Sequence, residues 1–118
     1  MNSDKYKHHQ TQYIELLSED LDRAKQFYSN SFGWEFKDYG PDYTTASGDY
    51  VDIGIVPGKP LKSSILVVLY SNDLNRTKDK IIASGGTIVI DVFQFPGGSR
   101  FHFEDPDGNE LAVWTVEP

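Results

Sequence analysis

Ser18-Glu19-Asp20-Leu21-Asp22-Arg23-Ala24-Lys25 and Ser71-Asn72-Asp73-Leu74-Asn75-Arg76-Thr77-Lys78 are two versions of one octapeptide, set 53 residues apart. The offset continues without a gap, so that Ser31 falls on Ser84 and Gly33 on Gly86. Across 18–33 and 71–86, seven of sixteen aligned positions are identical, where unrelated sequences would share roughly one. A repeat of this kind marks a duplicated supersecondary unit, because one such unit cannot bury its apolar face alone.

Both copies read alike. In the first, Tyr13-Ile14-Glu15-Leu16-Leu17 has the pattern of a strand. Asp20 then offers a carboxylate to the orphan amides of a helix start. Leu21, Ala24 and Tyr28, with Phe27 beside them, recur on one helical face, and Gly33 supplies the left-handed residue that ends the helix. Strands are expected at 34–39, 43–46 and 51–56, separated by Gly40-Pro41-Asp42 and Ser47-Gly48-Asp49. In the second copy Asp73 caps the helix, and Leu74, Thr77 and Ile81 take the places of Leu21, Ala24 and Tyr28. Gly85-Gly86 ends it. Its strands are expected at 65–70, 87–95, 99–104 and 110–116. The unbroken apolar run Ile65 to Tyr70 reads as a central strand buried on both faces. In Asp105-Pro106-Asp107-Gly108-Asn109, Pro106 presets a tight turn and Gly108 takes positive φ.

The expected fold class is α+β: two tandem βαβββ modules forming curled mixed sheets around a cleft. The expected boundaries are a flexible tail at 1–11 and a single domain at 12–118. Within it, module one covers 12–57, a linker 57–62 and module two 63–118. A four-stranded sheet with one covering helix leaves a face and its edges open. Two such half-shells together make a natural small-molecule cleft.

Bulk properties narrow the partners. A chain of 118 residues buries a core without staples. With no cysteine, thiol catalysis, thiolate metal sites and disulfides are excluded. Eleven Lys+Arg against eighteen Asp+Glu give a net charge of −7, which repels phosphate backbones and anionic lipid. Nucleic acid and membrane are therefore not expected as partners. No apolar run reaches the length of a membrane span, and the polar start lacks the stretch of a signal peptide. The expected location is the cytoplasm.

The run Asp20-Leu21-Asp22-Arg23-Ala24, followed by Phe27-Tyr28 and Phe32-Gly33-Trp34, resembles the vicinal-oxygen-chelate superfamily. So does Phe101-His102-Phe103-Glu104-Asp105-Pro106-Asp107-Gly108-Asn109 at the last hairpin. That group holds glyoxalase I, bleomycin- and fosfomycin-resistance proteins and extradiol dioxygenases. The resemblance covers almost everything after residue 11, but it rests on caps, turns and packing residues, which identify a fold rather than a chemistry. It implies a metal site in some members: one divalent ion held by His or Gln on the first strand of each module and Glu on the last. Carried over by register, the first-strand positions are Tyr13 and Leu66, or Val67 if the strand slips by one. The last-strand positions are Ala112 and a residue near Asp52 or Ile53. Aliphatic side chains cannot ligate, and a lone carboxylate does not hold a divalent ion. The expectation is no metal and no cofactor.

The residues expected to line the cleft are Tyr13, Glu15, Asp52, Val68, Arg100, His102 and Trp114. Glu15 and His102 are the catalytic candidates. Glu15 shares strand parity with Tyr13, and burial would raise its pKa towards general-base use; the alternative is pairing with an Arg or exposure at a dimer seam. His102 is the only histidine outside the tail, and histidine is the side-chain type suited to proton transfer near neutral pH; the alternative is a satisfied wall residue. Arg100 either clamps an anionic ligand or pairs with Glu104. Trp114, Phe36, Tyr43, Tyr50, Phe93 and Phe95 either stack a planar ligand or pack the core. Gly85-Gly86 and Gly97-Gly98 are cap and turn glycines, not a phosphate loop. The expected function is metal-independent binding of a small organic molecule, cationic and aromatic, by a homodimer of the bleomycin-resistance type. Two alternatives stay open: a divalent-metal-dependent lyase or isomerase of glyoxalase type, and a non-catalytic regulatory or interaction module.

Overall fold

Asp20 and Asp73 start the two helices in the same way, each accepting a hydrogen bond of 3.1 Å from the backbone N–H three residues on. The computed structural model describes residues 6, 8, 11–61 and 65–117, so most of the expected tail and residue 62 of the expected linker lie outside the described residues. The elements run β1 (Tyr13–Ser18), α1 (Leu21–Phe32), β2 (Phe36–Asp38), β3 (Thr44–Ala46) and β4 (Asp52–Pro57). The same order follows as β5 (Val67–Tyr70), α2 (Leu74–Ala83), β6 (Thr87–Phe95), β7 (Gly98–Glu104) and β8 (Glu110–Val116). Each half is thus βαβββ. The glycines placed at the helix ends behave as expected: Gly33 has φ 74°, and Gly85 follows the second helix at φ 102°.

Two four-stranded mixed sheets result, ordered β1-β4-β3-β2 and β5-β8-β7-β6, and neither closes on itself. In each the first strand runs parallel to the last, while the other neighbours are antiparallel. Ile14 pairs with Ile53 and Val67 with Leu111. Since Ile14 and Val67 are equivalent in the repeat, so are Ile53 and Leu111, and hence Gly54 and Ala112.

The helices bury one face each into a single core that joins both halves. Ala24, Phe27 and Tyr28 of α1 and Leu74 and Ile81 of α2 meet Leu16, Ile53 and Ile55 of one sheet and Phe101, Phe103, Leu111 and Val113 of the other. Each large apolar side chain so buried contributes about 1.5–3 kcal/mol. Trp34 stacks on Tyr28 at 4.8 Å and 6°, so it belongs to this core.

The last hairpin fastens the halves together. Asp105 accepts hydrogen bonds from the backbone of Asp107 and Asn109 and from the Asn109 amide, which fixes the turn. From that turn, Asn109 donates to the Leu17 carbonyl, while Asp107 accepts from Ser18 Oγ and from the Arg23 guanidinium. Tyr28 donates to Asp105 Oδ2 at 2.8 Å.

One expectation is corrected. The run Ile65 to Tyr70 is not a central strand buried on both faces: β5 is the edge of its sheet and begins only at Val67. Val67 and Leu69 pack towards the core, whereas Ile65, Val68 and Tyr70 are exposed. An unbroken apolar run reads identically whether its outer side is covered within the chain or left open to something else. No helix among the described residues is long and apolar enough to cross a membrane.

Candidate cleft between the two sheets

The edge strands β1 and β5 flank a cavity of about 720 Å³, also lined by the linker residues Pro60 and Leu61 and by Ile65, Asn109 and Glu110. Most of its wall is aliphatic: Leu17, Leu61, Ile65, Leu66 and Val68. Its charged described residues are two carboxylates, Glu15 from β1 and Glu110 from β8, with no Lys, Arg or His among the described lining.

Alternation along β1 turns Ile14 and Leu16 to the core and leaves Tyr13 and Glu15 on the opposite side. There they form a chain of hydrogen bonds. Tyr43 donates to the Tyr13 hydroxyl at 3.2 Å, and Tyr13 donates to Glu15 Oε2 at 2.7 Å. Partial burial of the phenol, then its hydrogen bonds with Tyr43 and Glu15, push the Tyr13 pKa upward. Tyr13 therefore stays protonated and donating at neutral pH.

The Tyr13 ring lies over Gly54. A Cβ at that glycine would collide with the phenol, so the two positions are mutually dependent. The register also corrects the expected metal geometry, because the equivalent of Ala112 is Gly54, not Asp52 or Ile53. The four positions that the family resemblance assigns to metal ligands are thus Tyr13, Gly54, Leu66 and Ala112. Three of them carry no donor atom, and the fourth commits its hydroxyl to Glu15. These residues do not fit a divalent ion. Asp52 serves elsewhere, accepting from Gln12 Nε2 at 2.7 Å and from the Gly48 amide at 3.2 Å.

The second sheet continues the surface. Val68, Ala112 and His102 form one cross-strand row, and Tyr70, Trp114 and Arg100 form the next. Trp114 meets Tyr70 edge-on at 5.4 Å and approaches Phe95 at 6.3 Å. The Arg100 guanidinium lies over Phe93 and Phe95, at 5.3 and 5.7 Å from their centroids. His102 is 6 % exposed, and its Nδ1 lies 2.9 Å from Glu110 Oε2.

Of the seven residues expected to line one cleft, Tyr13, Glu15 and Val68 border the cavity. Arg100 and His102 stand on the same face of the second sheet but beyond β8, Trp114 shares that face on β8 itself, and Asp52, at the start of β4, is tied to the loop before it. Among the expected stacking residues, Phe36 packs on the core and Tyr50 is 75 % exposed on a loop, so neither belongs to the cavity. Glu110 escaped the sequence reading, although its parity with Ala112, two residues on, places it on the open face. Gly54 escaped because only the β1–β4 register reveals it.

The sequence model of the glyoxalase/bleomycin resistance protein/dioxygenase superfamily matches residues 10–113. A glyoxylase-like domain-containing protein of Didymella fabae is 31% identical over 121 residues, covering 92% of this chain and 94% of its own length. The protein CFP32 of Mycobacterium bovis, named provisionally as a glyoxylase, is 25% identical over 116 residues, 88% of this chain. The chain spans 44% of the length of that mycobacterial relative. Among solved structures, a glyoxalase-related enzyme from Fulvimarina pelagi superposes with a TM-score of 0.80 at 20% identity, over 92% of this chain and 88% of that one. That likeness concerns the fold.

Proposed function

This chain belongs to the glyoxalase/bleomycin resistance protein/dioxygenase superfamily, and from that premise we propose that it binds a small organic molecule without a metal ion. The guest is cationic and planar, and its site is the cavity between β1 and β5. The observation that carries this reading is the cavity's charge: Glu15 and Glu110 within an aliphatic wall, and no described cation among the lining residues. A positive group held between two carboxylates in a partly desolvated space gains Coulomb energy, and the Tyr13 ring adds a cation–π surface. The net charge of −7 draws cations to the protein from a distance. The lack of a donor side chain at three of the four metal positions, with the Tyr13 hydroxyl committed to Glu15 at the fourth, supports the metal-independent part.

The same reading makes the protein a homodimer. Leu61, Ile65, Val68 and Tyr70 form an exposed apolar rim on and beside the unpaired edge of β5, and a second copy would cover it.

The test is a fluorescence titration with 9-aminoacridine, a planar cation, beside acridine-9-carboxylate as its anionic counterpart. The expected result is micromolar binding of the cation only, weakened at least about tenfold, or about 1.4 kcal/mol, by Glu15→Gln or Glu110→Gln. Equal binding of both dyes, or a cation affinity unchanged in both variants, would sink the proposal.

A further inference from the structure

Two nitrogen atoms on β7, Arg100 Nε and His102 Nε2, are buried and have no hydrogen-bond partner among the described residues. They sit two residues apart on one strand and therefore on one face. His102 is more than nine-tenths buried. Buried polar groups of native proteins are nearly always bonded, and two left open on one strand face ask what completes them. The Glu110 carboxylate, an acceptor, receives a hydrogen bond from His102 Nδ1–H at 2.9 Å and so fixes the ring with Nε2 as its unpartnered atom.

One aromatic ring touches both groups. Phe93 of β6 lies 5.3 Å from the Arg100 guanidinium and 6.1 Å from the His102 ring. It is half-buried and stands on an edge strand whose pairing slips between Ile88 and Ile90 and again between Ile90 and Phe93. A side chain on such an irregular edge stretch moves aside more easily than one on a regular inner strand.

We infer that Arg100 and His102 form a binding recess for the carboxylate group of a small aromatic acid, with Phe93 as its cover. The ligand's two oxygens accept from Arg100 Nε–H and from His102 Nε2–H, and its ring takes up the stacking that Phe93, Phe95 and Trp114 provide. With its Nδ1–H given to Glu110, His102 offers Nε2–H to the ligand only as the doubly protonated ring, so binding takes up one proton from solvent. An anion is the group that fits: both open atoms belong to cationic or protonatable side chains on one strand face, and a carboxylate has an oxygen to accept from each. The recess meets the cation cavity at Glu110, which borders that cavity and bonds His102, whereas Glu15 belongs to the cavity alone and tells the two sites apart.

The experiment is a titration of the full chain with benzoate and, in parallel, with neutral benzamide, followed by the side-chain nitrogen resonances of Arg100 and His102. Benzoate is expected to shift Arg100 Nε and to move His102 Nε2 to its protonated position; benzamide is not. Arg100→Gln and Arg100→Lys, the latter keeping the charge but losing Nε, should each weaken benzoate at least tenfold. Phe93→Ala should leave benzoate binding intact or strengthen it, and Glu15→Gln should leave it unchanged while weakening the cationic dye. Equal responses to benzoate and benzamide would overturn the inference. So would retention of benzoate affinity in Arg100→Lys, or no response to benzoate even in Phe93→Ala, which would leave ordered water as the only occupant.

Discussion

The Tyr13 phenol occupies the space above Gly54 where any other residue would place its Cβ. Gly54 is paired with Glu15 and Thr45 in the middle of the first sheet, so the backbone there cannot simply step back. Gly54→Ala is expected to drive Tyr13 off its position and break its bonds to Glu15 and Tyr43. The cost should be about 1–3 kcal/mol, as for other overpacked sites, read from urea denaturation. Tyr13→Ala combined with Gly54→Ala should recover part of that loss, because the collision is then gone. Strict additivity of the two changes would contradict the contact.

The same pair bears on metals. With Tyr13, Gly54, Leu66 and Ala112 at the positions family resemblance assigns to ligands, no four-donor set exists for a divalent ion. Added Mn, Ni or Zn, or dialysis against a chelator, should leave the thermal midpoint unchanged to within about a degree. A specific ion at a hundred times its dissociation constant would add about 2.7 kcal/mol, which is several degrees for a chain of this size. A rise of that kind, with one ion bound per chain, would refute the assignment.

Tyr28 and Asp105 supply a pH signature. Tyr28 is fully buried and donates to the Asp105 carboxylate, which is itself nearly buried. Tyr28→Phe leaves that carboxylate short of a donor and should cost about 1.5–3 kcal/mol, the usual range for a bond to a charged group. Burial raises the Asp105 pKa, only partly opposed by the bonds from Asn109, Tyr28 and Asp107. The folded chain therefore holds that proton more tightly than the unfolded one. This contribution to stability is complete below the ordinary carboxylate pKa and is lost as pH rises through the higher folded value. Exposed Asp38 and Asp91 have lowered pKa values, each from hydrogen bonds to its carboxylate, and act in the opposite sense. The comparison is thus between wild type and Asp105→Asn. Across that window the wild type should lose stability with rising pH relative to the variant, and parallel pH profiles would contradict the raised pKa.

The fold was legible where local chemistry decides it. Asp20 and Asp73 cap helices because a short carboxylate before an apolar stripe has few better uses, and Gly108 adopts its positive φ of 93° because the turn demands it. β5 was misread because periodicity reports which residues are apolar, not which neighbour covers them. The site was less legible for a related reason. Tyr13 and Glu15 could be placed on one face from strand parity alone. The partnership of Tyr13 with Gly54, and of His102 with Glu110, depends on cross-strand register, which no local pattern encodes. Arg100 and His102 fell in one expected cleft with Tyr13, and it is the width of β8 between them that separates the two.

The edge of β5 carries the last prediction. Leu61 and Ile65 are 86% and 83% exposed, and Tyr70 beside them is 55% exposed. An open strand edge flanked by large apolar side chains invites pairing, and chains that remain monomeric protect such edges with charge or proline. A standard interface removes about 800 Å² from each partner, roughly a tenth of the 7638 Å² this chain exposes. Light scattering at micromolar concentration should accordingly give twice the chain mass of 13.4 kDa. Ile65→Asp and Tyr70→Asp should shift the protein towards the single-chain mass while leaving its circular dichroism unchanged, since neither side chain is part of the core. A monomer at 100 µM in the wild type, or a dimer undisturbed by both substitutions, would mean that this rim is not where two copies meet.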